Sequence, residues 1–393
     1  MKQPKIRTGL DILRDEDFAG LKDLRLGLLT HPASIDAQLN HAVGLFHASE
    51  NIDLVRLFGP QHGILGETQD NMIEWEGFID PVSRLKVHSL YGEHRKPTPD
   101  MLKGLDALVI DLQDVGSRVY TFNWTALLCL RACAEQGCKV VVLDRPNPII
   151  PFGMGGPLLD MAFESFVGMA PIPLQHGLTT GELLTYCNRT FDIGADLEVI
   201  WMDGGARSMW FEDTGLPWVF PSPNLPTMDS LLVYPGFVLF EGTNLSEGRG
   251  TTRPFELFGA PYIDPHALIR RLEGWELPGA RFRPLHFQPT FQKWENRVCG
   301  GAQVYAADRT VFRPVLTALA VLCAARELWP KEFAWKHPPY EYEHEKLPID
   351  ILAGSESLRR DVDAGKTPYE IAGSWNEDLV AFEKSVAEFQ RYT

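Results

Sequence analysis

Short apolar runs separated by segments of helical spacing dominate the first 150 positions. Residues 24–30, 52–58, 85–90, 107–111 and 139–144 read as strands, the last two apolar almost throughout. Residues 39–50 and 123–137 read as helices between them, and 98–104 as a helix start. Strands without alternation are those buried on both faces, so the pattern predicts an α/β fold built on a parallel sheet covered by helices on each side. In such sheets ligands bind beyond the carboxyl ends of the strands.

From residue 151 the texture changes. Proline and glycine rise through 151–157, which suggests a domain boundary near 155, with 1–155 as the sheet domain and 156–393 as a second unit. A helix entrance is expected at 176–184, with Thr179 or Thr180 at its cap. Further expectations are a strand at 197–202, an irregular proline-rich stretch at 217–226 and a helix at 265–273. A strand at 298–306, a helix at 314–328 and small helices over 349–391 complete the pattern.

Charge narrows the partners. The 393 residues carry a net charge of −15, with no block of lysines or arginines to reverse it locally. That argues against an electrostatic grip on nucleic acid or anionic lipid. No apolar run reaches bilayer-spanning length, and none at the start has signal-peptide form. The expected location is the cytoplasm, or the periplasm or exterior if a signal peptide has been removed. Six cysteines lack zinc-type spacing and read as buried free thiols.

Several chemistries are missing from the sequence. No GxGxxG follows the first strand, and there is no GxxxxGK[ST], GxSxG or HExxH. What remains is a set of polar strand tips, at 59–67, 91–97, 111–121 and 144–148, and one dense loop. Residues 241–256 hold three carboxylates, two arginines, three glycines and four hydroxyl side chains, after an apolar run, 236–240, that reads as a buried strand. A polar turn held by an internal Arg–Glu pair would account for the same composition. Glycoside hydrolysis needs two carboxyl groups in different roles. Glu67, Glu93, Asp111, Asp114, Asp144, Glu182, Glu241 and Glu247 offer them, with Tyr91, Tyr120, Trp124, Trp218 and Tyr234 available to face sugar rings. For any one of these acids, a helix cap or salt bridge is the competing account.

The motifs 89–92, 111–116, Arg118 with Tyr120 and Thr121, 143–148, 165–168, 176–182, 221–224, 234–236, 241–246 and 248–251 occur in order across nearly the whole chain. On them the chain resembles the exo-β-N-acetylmuramidases of the NamZ type, also known as DUF1343. The resemblance implies a Rossmann-like domain joined to a smaller C-terminal α/β (α+β) domain, with the active site in the cleft between them. It implies release of terminal N-acetylmuramic acid from peptidoglycan fragments without metal or nucleotide cofactor. On this reading Glu241, Asp114, Glu67 and His62 are the catalytic candidates. Gln61, Glu93, Gln113, Arg118, Tyr120, Asn147, Asn224, Asn244, Arg249 and Thr251 are the substrate-binding ones, Arg249 for the lactyl carboxylate of the sugar.

Two positions depart from the family. It usually shows Pro-Glu-His-Gly where this chain has Pro60-Gln61-His62-Gly63, and His31-Pro32 replaces the usual residues after the first strand. An amide transfers no proton as an acid or base. Three readings follow: another acid, such as Glu67 or Glu93, takes over; the sugar differs; or the protein binds muropeptides without cleaving them.

Overall fold

The computed structural model describes residues 5–70 and 72–393. Its strands are β1 (Arg25–Leu29), β2 (Asp53–Gly59), β3 (Phe78–Ile79), β4 (Lys86–Ser89), β5 (Ala107–Ile110), β6 (Lys139–Leu143), β7 (Gly155–Leu158), β8 (Pro173–Gln175), β9 (Leu197–Ile200), β10 (Leu257–Ala260), β11 (Ala280–Phe287) and β12 (Cys299–Ala306). Seven form one sheet in the order β3-β4-β2-β1-β5-β6-β9. Every pairing in it is parallel except β3 with β4. β7 and β8 form a hairpin, and β10-β12-β11 form a separate antiparallel sheet in the smaller C-terminal part.

The central strands show why their sequences are unbroken runs. Leu108 and Ile110 of β5, with Val140 and Val142 of β6, join the large core shared with the rest of the chain. Their alternate neighbours, Val109 and Val141, join Leu26, Leu28 and Phe46 in a second core on the other face. Period-two alternation is present, but both faces are dry. The helix Phe122–Gln136 ends on Gly137 at φ 65°, where a left-handed C-cap is needed. The helix Thr180–Thr190 starts with a capping box between Thr179 and Glu182.

The sheet does not stop at residue 155. β9 adds to its edge beside β6, so the proline- and glycine-rich stretch lies between strands of one sheet. The expected strand at 236–240 is instead the end of the helix Met228–Phe237 and the start of a 3₁₀ turn, Val238–Gly242. That segment is buried all round, so its apolar run carries no periodicity to separate helix from strand. In the structure Thr227 and Ser230 form a capping box at its start. Gly236 lets this helix cross the helix Pro314–Leu328 closely, since a Cβ there would lie 2.1 Å from the Pro314 carbonyl oxygen. The helix expected over 39–50 is shorter, Ala42–Ala48, with the His41 ring as its cap.

Candidate active site

Loops from both parts of the chain converge on one cleft. The turn after β2 supplies Gln61 and His62, with His62 held at φ 66°. The segment after β5 supplies Tyr120 and Thr121, at the entrance of the helix Phe122–Gln136. The proline-rich stretch adds Ser222 and Asn224. From the other side, the 3₁₀ turn Val238–Gly242 delivers Glu241 and the following loop returns Arg249. Gly248, at φ 81°, makes that return possible: a Cβ there would lie 2.5 Å from the Leu257 carbonyl oxygen. Tyr340 and Glu341 close the wall.

The two cleft carboxylates sit in unlike environments. Glu241 accepts from Arg249 Nη1 at 2.5 Å and from the Tyr340 hydroxyl at 2.8 Å. Arg249 Nη1 also meets Glu247 at 3.2 Å, and Lys293 Nζ lies 2.7 Å from the other Glu247 oxygen. Burial alone would raise the Glu247 carboxyl, but Lys293 and Arg249 outweigh it and hold it below the usual range. Two anions and two cations therefore balance behind the cleft. Glu341 has no such cation in contact among the described residues. It accepts from the Tyr91 hydroxyl at 2.9 Å. Burial, aided by the charge of Glu241, pushes its carboxyl up to about 7, against the Tyr91 hydrogen bond, Arg249 and Arg95. One carboxyl is thus ion-paired and its neighbour holds a proton near neutrality.

His62, one of the catalytic candidates, has no proton to donate into the cleft. Its Nδ1 lies 2.8 Å from the Thr68 carbonyl, which can only accept, so the ring proton is spent there. Burial pushes its pKa down to about 4, so Nε2 stays an acceptor, 3.2 Å from the Ser222 hydroxyl. Tyr120 offers what His62 does not. Its hydroxyl is buried at the cleft with no hydrogen-bond partner among the described residues, a donor left for a ligand. Its ring stands 6.2 Å from that of Tyr234, which stacks edge-on at 4.8 Å against Phe255, giving one wall an apolar face.

Of the residues expected from sequence, Gln61, His62, Tyr120, Asn224, Glu241 and Arg249 line this cleft. The others do not. Glu67 and Glu93 are exposed, Glu93 beside His94, and neither replaces the missing acid at 61. Asp114 is buried, accepting from the Gly116 amide at 2.7 Å with His176 Nε2 at 3.3 Å. Gln113 donates to the Asp114 and Pro146 carbonyls, and Asn147 to the Leu178 carbonyl. Asn244 ties Glu332 and Ala334 to Tyr262, while Thr251 closes its own turn on Gly248. Trp124, expected near a sugar, is buried and donates to the Arg118 carbonyl. Asp111 pairs with Arg145 in a buried ion pair.

Arg118 is a strut. Its guanidinium donates to the carbonyls of Pro157, Ile172 and Leu352, joining the β7–β8 hairpin to the C-terminal part, and burial pushes it down to about 9. Arg118→Met leaves three buried carbonyls without donors, at roughly 1 kcal/mol or more each. Urea unfolding is expected to show a loss of about 3 kcal/mol, with the shape of the cleft in the folded fraction unchanged.

Sequence reasoning passed over Tyr340 and Glu341. Residues 338–346 carry neither helical nor strand spacing, and their signal was density: aromatic and acidic residues interleaved over 340–345, as in the loop at 241–256. Among the described residues, no group of three or more His, Cys, Asp or Glu could hold a metal ion, and no helix is long and apolar enough to cross a membrane.

Comparison with known proteins gives a consistent set of relatives. Family models for the N-terminal and C-terminal parts of the exo-β-N-acetylmuramidase NamZ match residues 26–229 and 232–392. The peptidoglycan β-N-acetylmuramidase NamZ of Bacillus subtilis (strain 168) is 42% identical over 391 residues, spanning 100% of this chain and 92% of that protein. Two crystal structures of DUF1343 family proteins from Bacteroides fragilis NCTC 9343 superpose on it. One has a TM-score of 0.89 and 31% identity with 100% of both chains covered, the other 0.76 and 27% with 99% of both covered.

Proposed function

The chain belongs to the exo-β-N-acetylmuramidase NamZ family, and on that premise we propose that it is a working glycosidase which releases terminal β-linked N-acetylmuramic acid, or a closely related acidic amino sugar, from peptidoglycan fragments. The observation that carries this reading is the pair of cleft carboxyls in unlike states. Glu341, holding its proton up to about 7, is the acid that protonates the leaving oxygen. Glu241, ion-paired to Arg249, is the carboxylate that activates water or attacks the sugar carbon. Arg249 also supplies positive charge at the cleft for an acidic sugar. The free Tyr120 hydroxyl donates to the sugar, and Tyr234 with Phe255 receives an apolar sugar face.

Gln61 is not an obstacle to this chemistry. Its amide is engaged at both ends, accepting from Thr121 and donating to Tyr91, and the acid role falls to Glu341. The competing reading, a muropeptide receptor without turnover, predicts saturable binding and no product. The test is incubation with a fragment ending in N-acetylmuramic acid and with the same fragment capped by another sugar. Release of the terminal sugar from the first alone supports an exo-acting muramidase. Equal cleavage of both removes the exo reading, and binding without release removes the enzyme.

The pH dependence has a definite sign. A carboxyl raised by burial is protonated below its shifted pKa and loses its proton above it. kcat/KM is therefore expected to fall as pH rises through about 7, the value at which Glu341 ionises. A pH–rate profile on a muropeptide ending in N-acetylmuramic acid, whose leaving sugar alcohol needs the proton, checks it.

A further inference from the structure

The chain Thr121–Gln61–Tyr91–Glu341 has a direction. The Thr121 hydroxyl lies 2.7 Å from Gln61 Oε1 and donates to it. Gln61 Nε2 donates to the Tyr91 hydroxyl oxygen at 3.1 Å. Tyr91 then gives its single proton to Glu341 Oε2, at 2.9 Å. We propose that Gln61 is a positioning residue: its amide holds this chain in one direction, so that Glu341 carries its acid proton on Oε1 and not on Oε2. This rests on the reading of Glu341 as the acid.

The physical reason lies in the asymmetry of the amide. One end only accepts and the other only donates. With Nε2–H occupying a lone pair of Tyr91, the phenol is polarised to donate onward, as hydrogen bonds in a chain strengthen one another. An oxygen already receiving that proton is the poorer seat for another, so the carboxyl proton is placed on Oε1. Glu341 lines the cleft, and no hydrogen bond to Oε1 competes among the described residues. A carboxylate at 61 would accept at both ends. It would draw the Tyr91 proton toward itself and release Glu341 Oε2 to be protonated, reversing the chain. The amide is thus a functional choice at this position once the acid resides at 341.

The groups facing Glu341 come from several elements. They are Tyr91 and Arg95 after β4, Glu241 and Arg249 from the turn and loop opposite, Tyr234 from the helix Met228–Phe237, and Tyr340 on its own segment. Among the described residues only Tyr91 bridges Glu341 and Gln61 by hydrogen bonds, which allows a clean test without substrate. The δ-carbon of Glu341 is titrated by NMR in full-length protein carrying ¹³C-labelled glutamate, its signal assigned by its loss in E341Q. Gln61→Met removes the donor to Tyr91, weakens Tyr91 as a donor, and is expected to raise the Glu341 midpoint by about half a pH unit. Gln61→Glu adds a charge and reverses the chain, and is expected to raise it by about one unit or more. In a Tyr91→Phe background, the effect of Gln61→Met is expected to vanish. An equal Gln61→Met shift with and without Tyr91, or no shift in either, overturns the proposal. Thermal unfolding of each variant shows that the titrated species is folded. Because no turnover is read, a failed chain leaves the muramidase reading standing, and an inactive protein leaves the chain testable.

Discussion

Glu341→Gln is expected to lower kcat on a muropeptide by about 10³-fold, the middle of the range for losing a general acid. The amide keeps the shape of the side chain and its carbonyl still accepts from Tyr91, so folding and substrate binding are expected to survive. The loss should depend on the leaving group. A sugar alcohol must be protonated as it departs, whereas an activated nitrophenolate leaves without help. On a nitrophenyl β-N-acetylmuramide the same variant is therefore expected to lose about 10-fold or less, and the fall in activity above pH 7 should disappear. Equal losses on both substrates would mean that Glu341 positions the sugar and does not supply the proton.

Glu241→Ala is expected to strike stability and activity together. Glu241 is the shorter of the two contacts to Arg249 Nη1, and Arg249 is buried. Removing one partner of a buried ion pair typically costs about 3 kcal/mol or more, because the remaining charge is stranded. Here Glu247 stays, but it already faces Lys293, and the Tyr340 hydroxyl loses its acceptor as well. Denaturant unfolding should show a loss of about 3 kcal/mol, while the remaining folded protein turns over a muropeptide at least about 10²-fold more slowly. Glu241→Gln separates the two effects. It keeps the Tyr340 contact and the volume, so a variant that folds well and still fails to turn over assigns Glu241 to the chemistry. Full activity in Glu241→Gln would remove it from the mechanism.

The sheet was legible because its strands are apolar and bounded by turn residues. β5 and β6 fall within a residue of their expected ends. β10 and β11 were not seen: β10 lies at the end of the dense polar loop, and β11 mixes arginines, a proline and a histidine with its apolar residues on a half-exposed edge. The helix Met228–Phe237 was misread for the opposite reason, since a segment buried on every side has no polar face to set its period.

The site was half legible. Glu241 and Arg249 stood out through the density of their loop, and Gln61, His62 and Tyr120 through their place at strand tips. Strand-tip logic also brought in Asp114, Gln113 and Asn147, which the same position turns inward to satisfy backbone groups. A polar residue beyond a strand faces either the ligand or the loop that holds it, and sequence spacing does not separate the two. Arg118 is the clearest case, a cation whose partners are all carbonyls of distant segments. Glu341 lay furthest from reach, because its carboxyl is raised by burial and by Glu241, 100 positions away, and its hydrogen bond comes from Tyr91, 250 positions away.

Hydrolysis in this cleft is proposed to run with an amide at 61 and the acid at 341. Its most direct test is the time course of free N-acetylmuramic acid released by the unaltered protein from a fragment bearing that sugar at its non-reducing end, followed from acid to alkaline pH. Multiple turnovers are expected, declining as pH rises through about 7. Saturable binding of the fragment by folded protein, with no sugar released at any pH, would contradict it.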